Sequence, residues 1–473
     1  MSVENEERAA RRLARVVGGE AWAALRRVPG WGRGVAGALA GCFVLGGALM
    51  VVPPDGGDGG GGLAARVVGA AGPEGRTRAV VTAGMPAVLP EVTAAIRERE
   101  ARVRERPHDH ASWAVLGVAY TERARRTGTV ADYPKAERAL HTSLRLRPHG
   151  NADALDGLTA LANARRDFRT AKQWGEEAVR VTPGRWTSYA LLIDAYDGLG
   201  RYRAARGTLE KLLTVSSGPA ARARAAQVYW DQGGREDAAA TIADAAASGT
   251  SAAGAAWWVR AGEMAWERGE PEESLRYCEA AGRLTAGGDP DADACRGRAL
   301  ASLGRAAEGV RAYRVALSRR PSAEVALRLG ELYESLGRAK QAREQYGVVR
   351  TLVGRSVAAG VNESLVLGAL ESDHGDPEVA VRVLRAEWER QPSLRVADAL
   401  GWALHRAGKD EEALGYARRA TDKEHGGEVR SADYLYHRGA IEQALGRAAP
   451  ARRHLAEARR LNPYFSVRGE SFA

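Results

Sequence analysis

The sequence is poor in the residues that build reactive centres and β-sheets. Only three cysteines and four phenylalanines occur among 473 residues. The cysteines, at positions 42, 278 and 295, form no CxxC pair, which excludes a zinc ribbon and a thioredoxin-type motif. Alternating runs of β-branched residues are too rare to nominate a sheet. Alanine, leucine, arginine and glycine are abundant instead, and this composition predicts an all-α protein.

Common catalytic motifs are also missing. No GxSxG, HExxH or P-loop motif occurs, and the glycine run at 56–62 has neither a lysine nor a preceding strand, which indicates a linker. His108 and His110 could hold a metal, but no third ligand is near them, so we interpret them as residues at the start of a helix. We therefore expect no enzyme, no cofactor and no metal site.

An uncharged segment near the N-terminus predicts a membrane anchor. Residues 34–52 contain no charged side chain, and a helix of that length spans about 28 Å, close to the ~30 Å hydrocarbon core of a bilayer. We predict a transmembrane helix at 34–53, between a basic cytoplasmic segment (1–33) and a Gly-rich flexible linker (54–86). Arginines crowd the N-terminal flank, so the N-terminus is expected in the cytoplasm and the rest on the exoplasmic side. This topology describes a single-pass protein of the cell membrane.

Two other interpretations of this segment stay open. Its many glycines and alanines are compatible with a buried helix or a signal peptide. Residues 39–42 (LAGC) also match a lipoprotein cleavage box, in which Cys42 would carry the lipid. Apolar residues continue after Cys42, whereas a mature lipoprotein normally continues with polar ones. The lipidated form would still place the later residues on the same side of the membrane.

Beyond about residue 107 the sequence repeats a unit of roughly 34 residues. Each unit carries a small residue, a glycine seven positions later and an alanine five positions after that. The glycines are 33 to 38 residues apart, at Gly200, Gly233, Gly269, Gly304, Gly337, Gly375, Gly408 and Gly446. Such a period is typical of a helical solenoid.

The first unit carries the most complete signature, with Trp113, Leu116, Gly117 and Tyr120 in the pattern W-x2-L-G-x2-Y. This pattern resembles the tetratricopeptide repeat (TPR). The resemblance implies a right-handed superhelix of about ten helical hairpins over residues 107–466, with a lead-in helix at 87–106 and a tail at 467–473. The arrangement as a whole resembles membrane-anchored tetratricopeptide proteins of high-GC, actinobacterial-type bacteria.

The repeat pattern has a direct packing interpretation. A small residue at position 8 lets the two helices of a hairpin approach, and a bulky residue at position 24 fills the space between them. The glycine at position 15 ends the first helix in the left-handed conformation that glycine adopts freely. Neighbouring hairpins then stack, because one hairpin cannot bury its apolar face alone.

The resemblance also implies that positions 2, 5, 9, 12 and 13 of each unit face a concave groove. Units two to five place seven acids and no lysine or arginine at these twenty positions. The predicted groove residues are Asp153, Asp156, Asp194, Asp197, Trp230, Asp231, Glu263, Trp266 and Glu267, followed by Glu331, Glu334 and Trp402 in later units. Arg395, His405 and Arg406 around Trp402 would make the far end basic.

An acidic groove with tryptophans favours a protein or peptide partner with basic or aromatic side chains, and it disfavours nucleic acid. The acids could also simply solvate exposed helix faces. We therefore expect a membrane-anchored interaction scaffold, with a cytoplasmic regulator or assembly chaperone without a true membrane span as the alternative. Both functions require the solenoid.

Two cysteines fall where neighbouring units would meet. Cys278 lies at position 24 of the fifth unit and Cys295 at position 6 of the sixth. The second helix of one unit lies against the first helix of the next, so a disulfide between them is geometrically conceivable. Two buried small side chains are the equally weighted alternative.

Overall fold

The structure, a computed structural model, describes residues 89–423 and 428–465, and all regular secondary structure in these ranges is helical. One short 3-10 helix lies at Ala252–Gly254. The α-helices are α1 (Leu89–Glu105), α2 (His110–Thr127), α3 (Asp132–Leu146), α4 (Ala152–Ala164), α5 (Phe168–Val181), α6 (Trp186–Gly198), α7 (Tyr202–Val215), α8 (Pro219–Asp231), α9 (Arg235–Ala247), α10 (Ala255–Glu267), α11 (Pro271–Leu284), α12 (Pro290–Ser302), α13 (Ala306–Arg319), α14 (Ala323–Ser335), α15 (Ala339–Ala358), α16 (Ser364–His374), α17 (Pro377–Arg390), α18 (Leu394–Arg406), α19 (Asp410–Thr421), α20 (Ala432–Ala444) and α21 (Ala448–Leu461). The predicted all-α class is confirmed for these ranges.

From α2 onward the helices pair into ten consecutive hairpins, α2 with α3 through α20 with α21. We call these hairpins units 1 to 10, and their first and second helices the A and B helices. The helix α1 packs against α2, as expected for the lead-in helix. The number of units agrees with the repeat count from the sequence.

Small residues set the approach of A and B helices within a unit. A Cβ atom placed on Gly330 would lie 2.5 Å from Cε1 of Tyr346, sixteen positions later. In unit 10, a Cβ on Gly439 would lie 2.7 Å from Cγ of Leu455, at the same spacing. Such contacts are too short for real side chains, so only glycine allows these helices to pack this closely. The predicted pairing of small and bulky positions is therefore confirmed in these units.

Most turn glycines adopt the predicted left-handed conformation, with φ between 68° and 80° at Gly200, Gly233, Gly269, Gly304, Gly337, Gly408 and Gly446. The prediction is wrong for Gly375, whose φ is −148°. There α16 continues to His374, directly before the glycine, and Asp376 caps the next helix by accepting a hydrogen bond from the Glu378 amide at 2.9 Å. In unit 2 the left-handed position is taken by Arg166, with φ 57°.

The second half of the solenoid packs back against the first half. The amide of Asn362 donates to the carbonyl of Arg165 at 2.9 Å, and the amide of Leu394 donates to the hydroxyl of Tyr202 at 3.1 Å. Such hydrogen bonds join residues between 192 and 226 positions apart. We call this line of contacts between the turns of units 1–5 and the loops of units 6–10 the inter-turn seam.

Apolar side chains also cross the inter-turn seam. Trp266 of unit 5 is in one buried cluster with Leu435 and Leu461 of unit 10 and with Phe465 after it. Val361, in the loop before unit 8, belongs to the buried cluster of units 1 and 2. The inter-turn seam therefore has buried apolar contacts as well as hydrogen bonds.

The structure joins Cys278 of α11 to Cys295 of α12 by a disulfide, with the Cα atoms 5.7 Å apart. Both sulfurs pack against Gly262, where an added Cβ would lie 2.8 Å from each of them. The cysteines are almost fully buried, at 0% and 5% exposure. The bond connects unit 5 to unit 6. The sequence analysis gave this disulfide and two buried thiols equal weight, and the structure contains the disulfide.

The predicted transmembrane helix at 34–53 and the lipidation candidate Cys42 lie outside the described residues. Among the helices from residue 89 onward, none combines the length and the apolar character needed to cross a membrane. The membrane anchor therefore stays a prediction from the sequence.

Candidate partner-binding face

The predicted groove positions lie on consecutive A helices, which contact one another through these same residues. Asp194 of α6 pairs with Arg224 of α8 at 2.8 Å. Gln227 of α8 accepts a hydrogen bond from Arg260 of α10 at 2.6 Å. We call this shared surface of the A helices the inner face.

Several predicted acids of the inner face are neutralised by arginines. Arg185 contacts both Asp153, at 2.7 Å, and Asp156, at 2.8 Å. Asp156 is 6% exposed and also accepts a hydrogen bond from the Ser188 hydroxyl at 2.7 Å. Glu263 pairs with Arg260 on its own helix at 2.9 Å. The Arg185 contacts connect unit 2 to unit 3, and little of the charge of these three carboxylates is free for a ligand.

The sequence analysis missed these arginines because they lie outside the assumed groove positions: Arg185 precedes helix α6, and the others occupy position 6. Arg224, Arg260 and Arg328 each precede the turn glycine of their unit by nine residues. Arg328 contacts Glu331 of the same helix at 3.4 Å. This spacing is a signal that the sequence already contained, and it adds positive charge to the inner face in units 4, 5 and 7.

Three predicted acids make no ion pair within 4 Å in the part of the chain that the structure describes: Asp197, Asp231 and Glu267. Asp231 is 7% exposed and accepts one hydrogen bond from Gln227 at 2.8 Å. One carboxylate oxygen of Asp197 is buried without a hydrogen-bond partner. Burial, and then the adjacent carboxylate of Asp231, raise the pKa of Asp197 well above its ordinary value, while Arg395 from unit 9 opposes this shift. Within the described residues no cation forms an ion pair with these three carboxylates, although the charge of Arg395 acts on Asp197 from a longer distance.

A second interaction between acids joins Glu267 of unit 5 and Asp433 of unit 10. Burial, and then the charge of Glu267, raise the pKa of Asp433 to about 7, and Asp398 acts in the same direction. His437 and Arg328 act in the opposite direction. His437 itself lies 3.0 Å from Asp398. Asp433 is therefore partly protonated near neutral pH.

Replacing Asp433 by asparagine is expected to stabilise the protein more at pH 8 than at pH 5. Because the folded pKa is raised, the folded chain holds a proton that the unfolded chain releases, and stability falls as pH rises from about 4 to about 7. Asparagine removes this loss. Since Asp433 is half-buried, we expect a gain of about 1–2 kcal/mol at pH 8.

Hydrogen exchange of the α20 amides at pH 5 and pH 8, corrected for the intrinsic pH dependence of exchange, measures this gain. Asp237→Asn on the outer surface is the control, and its effect should be the same at both pH values. An Asp433→Asn gain that does not change with pH would contradict the raised pKa.

The predicted tryptophans are largely enclosed. Trp230 is 7% exposed and lies under Arg235, whose guanidinium carbon is 5.2 Å from the ring centroid. Trp266 is 4% exposed, lies under Arg298 at 4.3 Å and donates its indole N–H to Ser302 at 2.8 Å. Both rings are therefore part of the packed interior, and the ring of Trp266 also contributes to the inter-turn seam.

Trp402 lies in unit 9, for which the sequence predicted a basic region, but the acidic Asp373 also contacts it. Its indole N–H donates to Asp373 at 3.1 Å, and its ring stacks on His437 with centroids 4.3 Å apart. Arg406 lies over the same ring at 5.9 Å and contacts Asp373 at 3.4 Å.

The later predicted acids also have partners. Glu334 accepts a hydrogen bond from the Tyr346 hydroxyl at 2.8 Å and contacts His374 at 3.1 Å. Glu331 has Arg328 as its partner. Within the described ranges, no group of three or more His, Cys, Asp or Glu residues is arranged to hold a metal ion. Between His108 and His110, Asp109 caps α2 by accepting a hydrogen bond from the Ser112 amide.

Ten stacked hairpins, the repeat spacing and the glycine-ended A helices together decide the fold. The described residues have the fold of a tetratricopeptide-repeat solenoid. No known protein family and no curated protein matches the sequence. The geometry of its own hairpins, rather than any one relative, therefore defines the repeat.

Solved structures to which the chain is similar include tetratricopeptide-repeat proteins. The human IFIT1 dimer with PPP-AAAA is 14% identical, with 74% of this chain and 72% of that chain covered at a TM-score of 0.37. PilF of Pseudomonas aeruginosa is 16% identical, with 44% and 94% covered at 0.35. YrrB, described as a TPR protein with an unusual peptide-binding site, is 18% identical, with 39% and 95% covered at 0.28.

Proposed function

We propose that this protein is a membrane-anchored scaffold whose inner face binds a basic segment of a partner protein. The observation that carries the proposal is the group of three carboxylates without an ion pair, Asp197, Asp231 and Glu267, on consecutive A helices. A lysine or arginine of the partner would supply the missing positive charge and lower the cost of keeping these acids together. We assign the protein no catalytic activity.

The proposed binding site is only the central part of the predicted acidic groove, in units 3 to 5. The acids of unit 2 and Asp194 already have arginine partners, so a ligand would have to displace an existing ion pair to reach them. The buried rings of Trp230 and Trp266 offer little surface to a ligand. We therefore assign the recognition to charge rather than to stacking on tryptophan.

The binding proposal is tested by removing the charge of Asp197, Asp231 and Glu267 together, as Asn, Asn and Gln. Full-length protein carrying a photo-crosslinker on the inner face is expected to recover a basic partner, and the triple variant is expected to lose it. A matched variant with the exposed Glu210, Glu279 and Glu389 changed to Gln keeps the same net charge as the triple variant.

Equal recovery by both variants would overturn the inner face as the binding site. A labelled single-stranded RNA serves as a further probe, and we expect no binding because the central carboxylates would repel phosphates. RNA binding that the triple variant strengthens would favour a nucleic-acid partner instead.

We further propose that the solenoid lies on the exoplasmic side of the cell membrane. The uncharged segment 34–52 with its arginine-rich N-terminal flank supports this placement. The Cys278–Cys295 pair supports it too, because disulfides persist in oxidising compartments and are rare in the cytosol. Protease treatment of intact cells or protoplasts is expected to digest the repeats without lysis. Digestion only after lysis would favour a cytoplasmic protein.

A further inference from the structure

The outer surface contains a groove that the inner-face proposal does not use. It lies between the B helices of units 4 and 5, α9 and α11, and has a volume of about 270 Å³. A single water needs only about 10–15 Å³. Its floor consists of alanines, namely Ala239, Ala240 and Ala243 of α9 and Ala261 and Ala265 of α10. We call it the outer groove.

The outer groove exists because unit 4 differs from the other units. Ala240 stands seven residues after its turn glycine, where units 5, 6, 7 and 10 carry Arg276, Arg311, Glu344 and Arg453. Ala243 stands ten residues after it, where units 3, 5, 6 and 9 carry Glu210, Glu279, Arg314 and Arg418. Units 3 and 9 have glycine at the first position, and units 7 and 10 have glycine or alanine at the second, but each of them carries a charged residue at the other. Among units 3 to 10 only unit 4 has a small residue at both positions, which leaves an apolar floor open.

The rim of the outer groove is negatively charged. Glu236, Glu270 and Glu273 line it together with one cation, Arg268. Arg268 contacts Glu270 at 2.6 Å and Glu236 at 3.5 Å. Three carboxylates against one guanidinium leave two negative charges around an apolar floor, in a chain with a net charge of +10.

The rim acids have unused hydrogen-bonding capacity. The Glu236 side chain is 83% exposed, so a ligand can reach it directly. One carboxylate oxygen of Glu270 is buried without a hydrogen-bond partner. A cation above the floor would find the exposed Glu236 on the α9 side and the half-buried Glu273 on the α11 side.

We propose that the outer groove binds a segment of a partner protein in which a bulky apolar residue is flanked by lysine or arginine. The apolar side chain rests on the alanine floor, where burial of apolar surface stabilises the complex. The flanking cations contact the rim glutamates. This surface is separate from the inner face, so the protein would have two docking sites.

The test selects ligands for full-length protein from a phage-displayed library of random peptides. We expect enriched peptides that combine a bulky apolar residue with neighbouring Lys or Arg. Ala240→Phe fills the outer groove and should weaken their binding at least tenfold. Ala247→Phe, an exposed position of the same helix outside the groove, is the matched control and should leave binding unchanged.

A charge variant keeps the test decisive if the filled variant folds poorly. Glu236→Lys together with Glu273→Lys reverses the charge of the rim without filling the floor, and it should weaken binding of the same peptides at least tenfold. Salt at about 0.5 M should weaken their binding less strongly, because it screens the rim charges. Enriched peptides that bind both variants like wild type would overturn the proposal. Acidic enriched peptides, or none above background, would overturn it too. Peptides whose binding is lost only in the triple variant of Asp197, Asp231 and Glu267 bind the inner face, and they count against the outer groove.

Discussion

Replacing Gly200 by alanine is expected to destabilise the solenoid by about 1–3 kcal/mol more than the same replacement of Gly408. Both glycines end an A helix in the left-handed region, with φ 68° and 73°. The backbone strain of an alanine, about 1–2 kcal/mol, is therefore common to both variants. The difference comes from what surrounds the added methyl group.

A Cβ on Gly200 would lie 2.4 Å from the carbonyl oxygen of Pro392 and 2.9 Å from Cα of Ser393. These are backbone atoms of the inter-turn seam, which cannot rotate away like the end of a flexible side chain. Around Gly408 no atom lies within 4 Å of the same position. Gly200→Ala must therefore move the two halves of the solenoid apart locally, and Gly408→Ala need not.

Hydrogen exchange measures the seam directly. The amide of Leu394, which donates to Tyr202 across the seam, should lose protection in Gly200→Ala and keep it in Gly408→Ala. Global unfolding alone is less informative, because long repeat arrays do not unfold in a single cooperative step. Equal protection of the Leu394 amide in both variants would mean that the seam does not restrain Gly200.

The contrast between these glycines shows which parts of the fold the sequence could predict. The hairpins depend on pairs such as Gly330 and Tyr346, which are sixteen residues apart and recur at a fixed period. Such local patterns are visible in a single sequence. The inter-turn seam depends on small rotations that add up over five units, and no repeat pattern records that sum. The same glycine signature therefore covers both an enclosed and an open turn.

The inner face, too, could be predicted only in part from the sequence. The period placed the acids on one surface, and Asp194 and Asp197 do lie on consecutive turns of the same helix. It did not place Arg224 and Arg260 there, because the assumed groove positions omit position 6. Pairing between units is decided by side-chain length and direction, which a list of groove positions does not contain. Whether the remaining carboxylates bind a partner stays a prediction.

The second large effect is expected at Arg438 in unit 10. This side chain is 9% exposed and forms ion pairs with Asp422 and with Glu442, the latter at 3.0 Å, and it donates to the Thr421 hydroxyl at 2.9 Å. Glu442 is only 2% exposed, and its other oxygen lies 2.6 Å from His454 of α21. The arginine thus connects the end of α19 to both helices of the last unit.

Arg438→Met is expected to cost about 3–5 kcal/mol, because it leaves a buried carboxylate without its guanidinium. Adding Glu442→Gln should recover most of that loss, since removing both partners of a buried pair is much less costly than removing one. Arg447→Met is the control within the same unit. Arg447 lies 3.6 Å from an exposed Glu411, and its loss should cost less than about 1 kcal/mol.

Local opening of α20 and α21, measured by hydrogen exchange, distinguishes a buried network from a surface ion pair. Unit 10 lies at the end of the described array, so its opening need not unfold the central units. It also carries Leu461 and Phe465, which pack on Trp266 of unit 5 across the seam. Opening of the last unit should therefore also expose Trp266, and its fluorescence should shift to the red in Arg438→Met. A variant that opens α21 without changing the surroundings of Trp266 would show that the seam holds without unit 10.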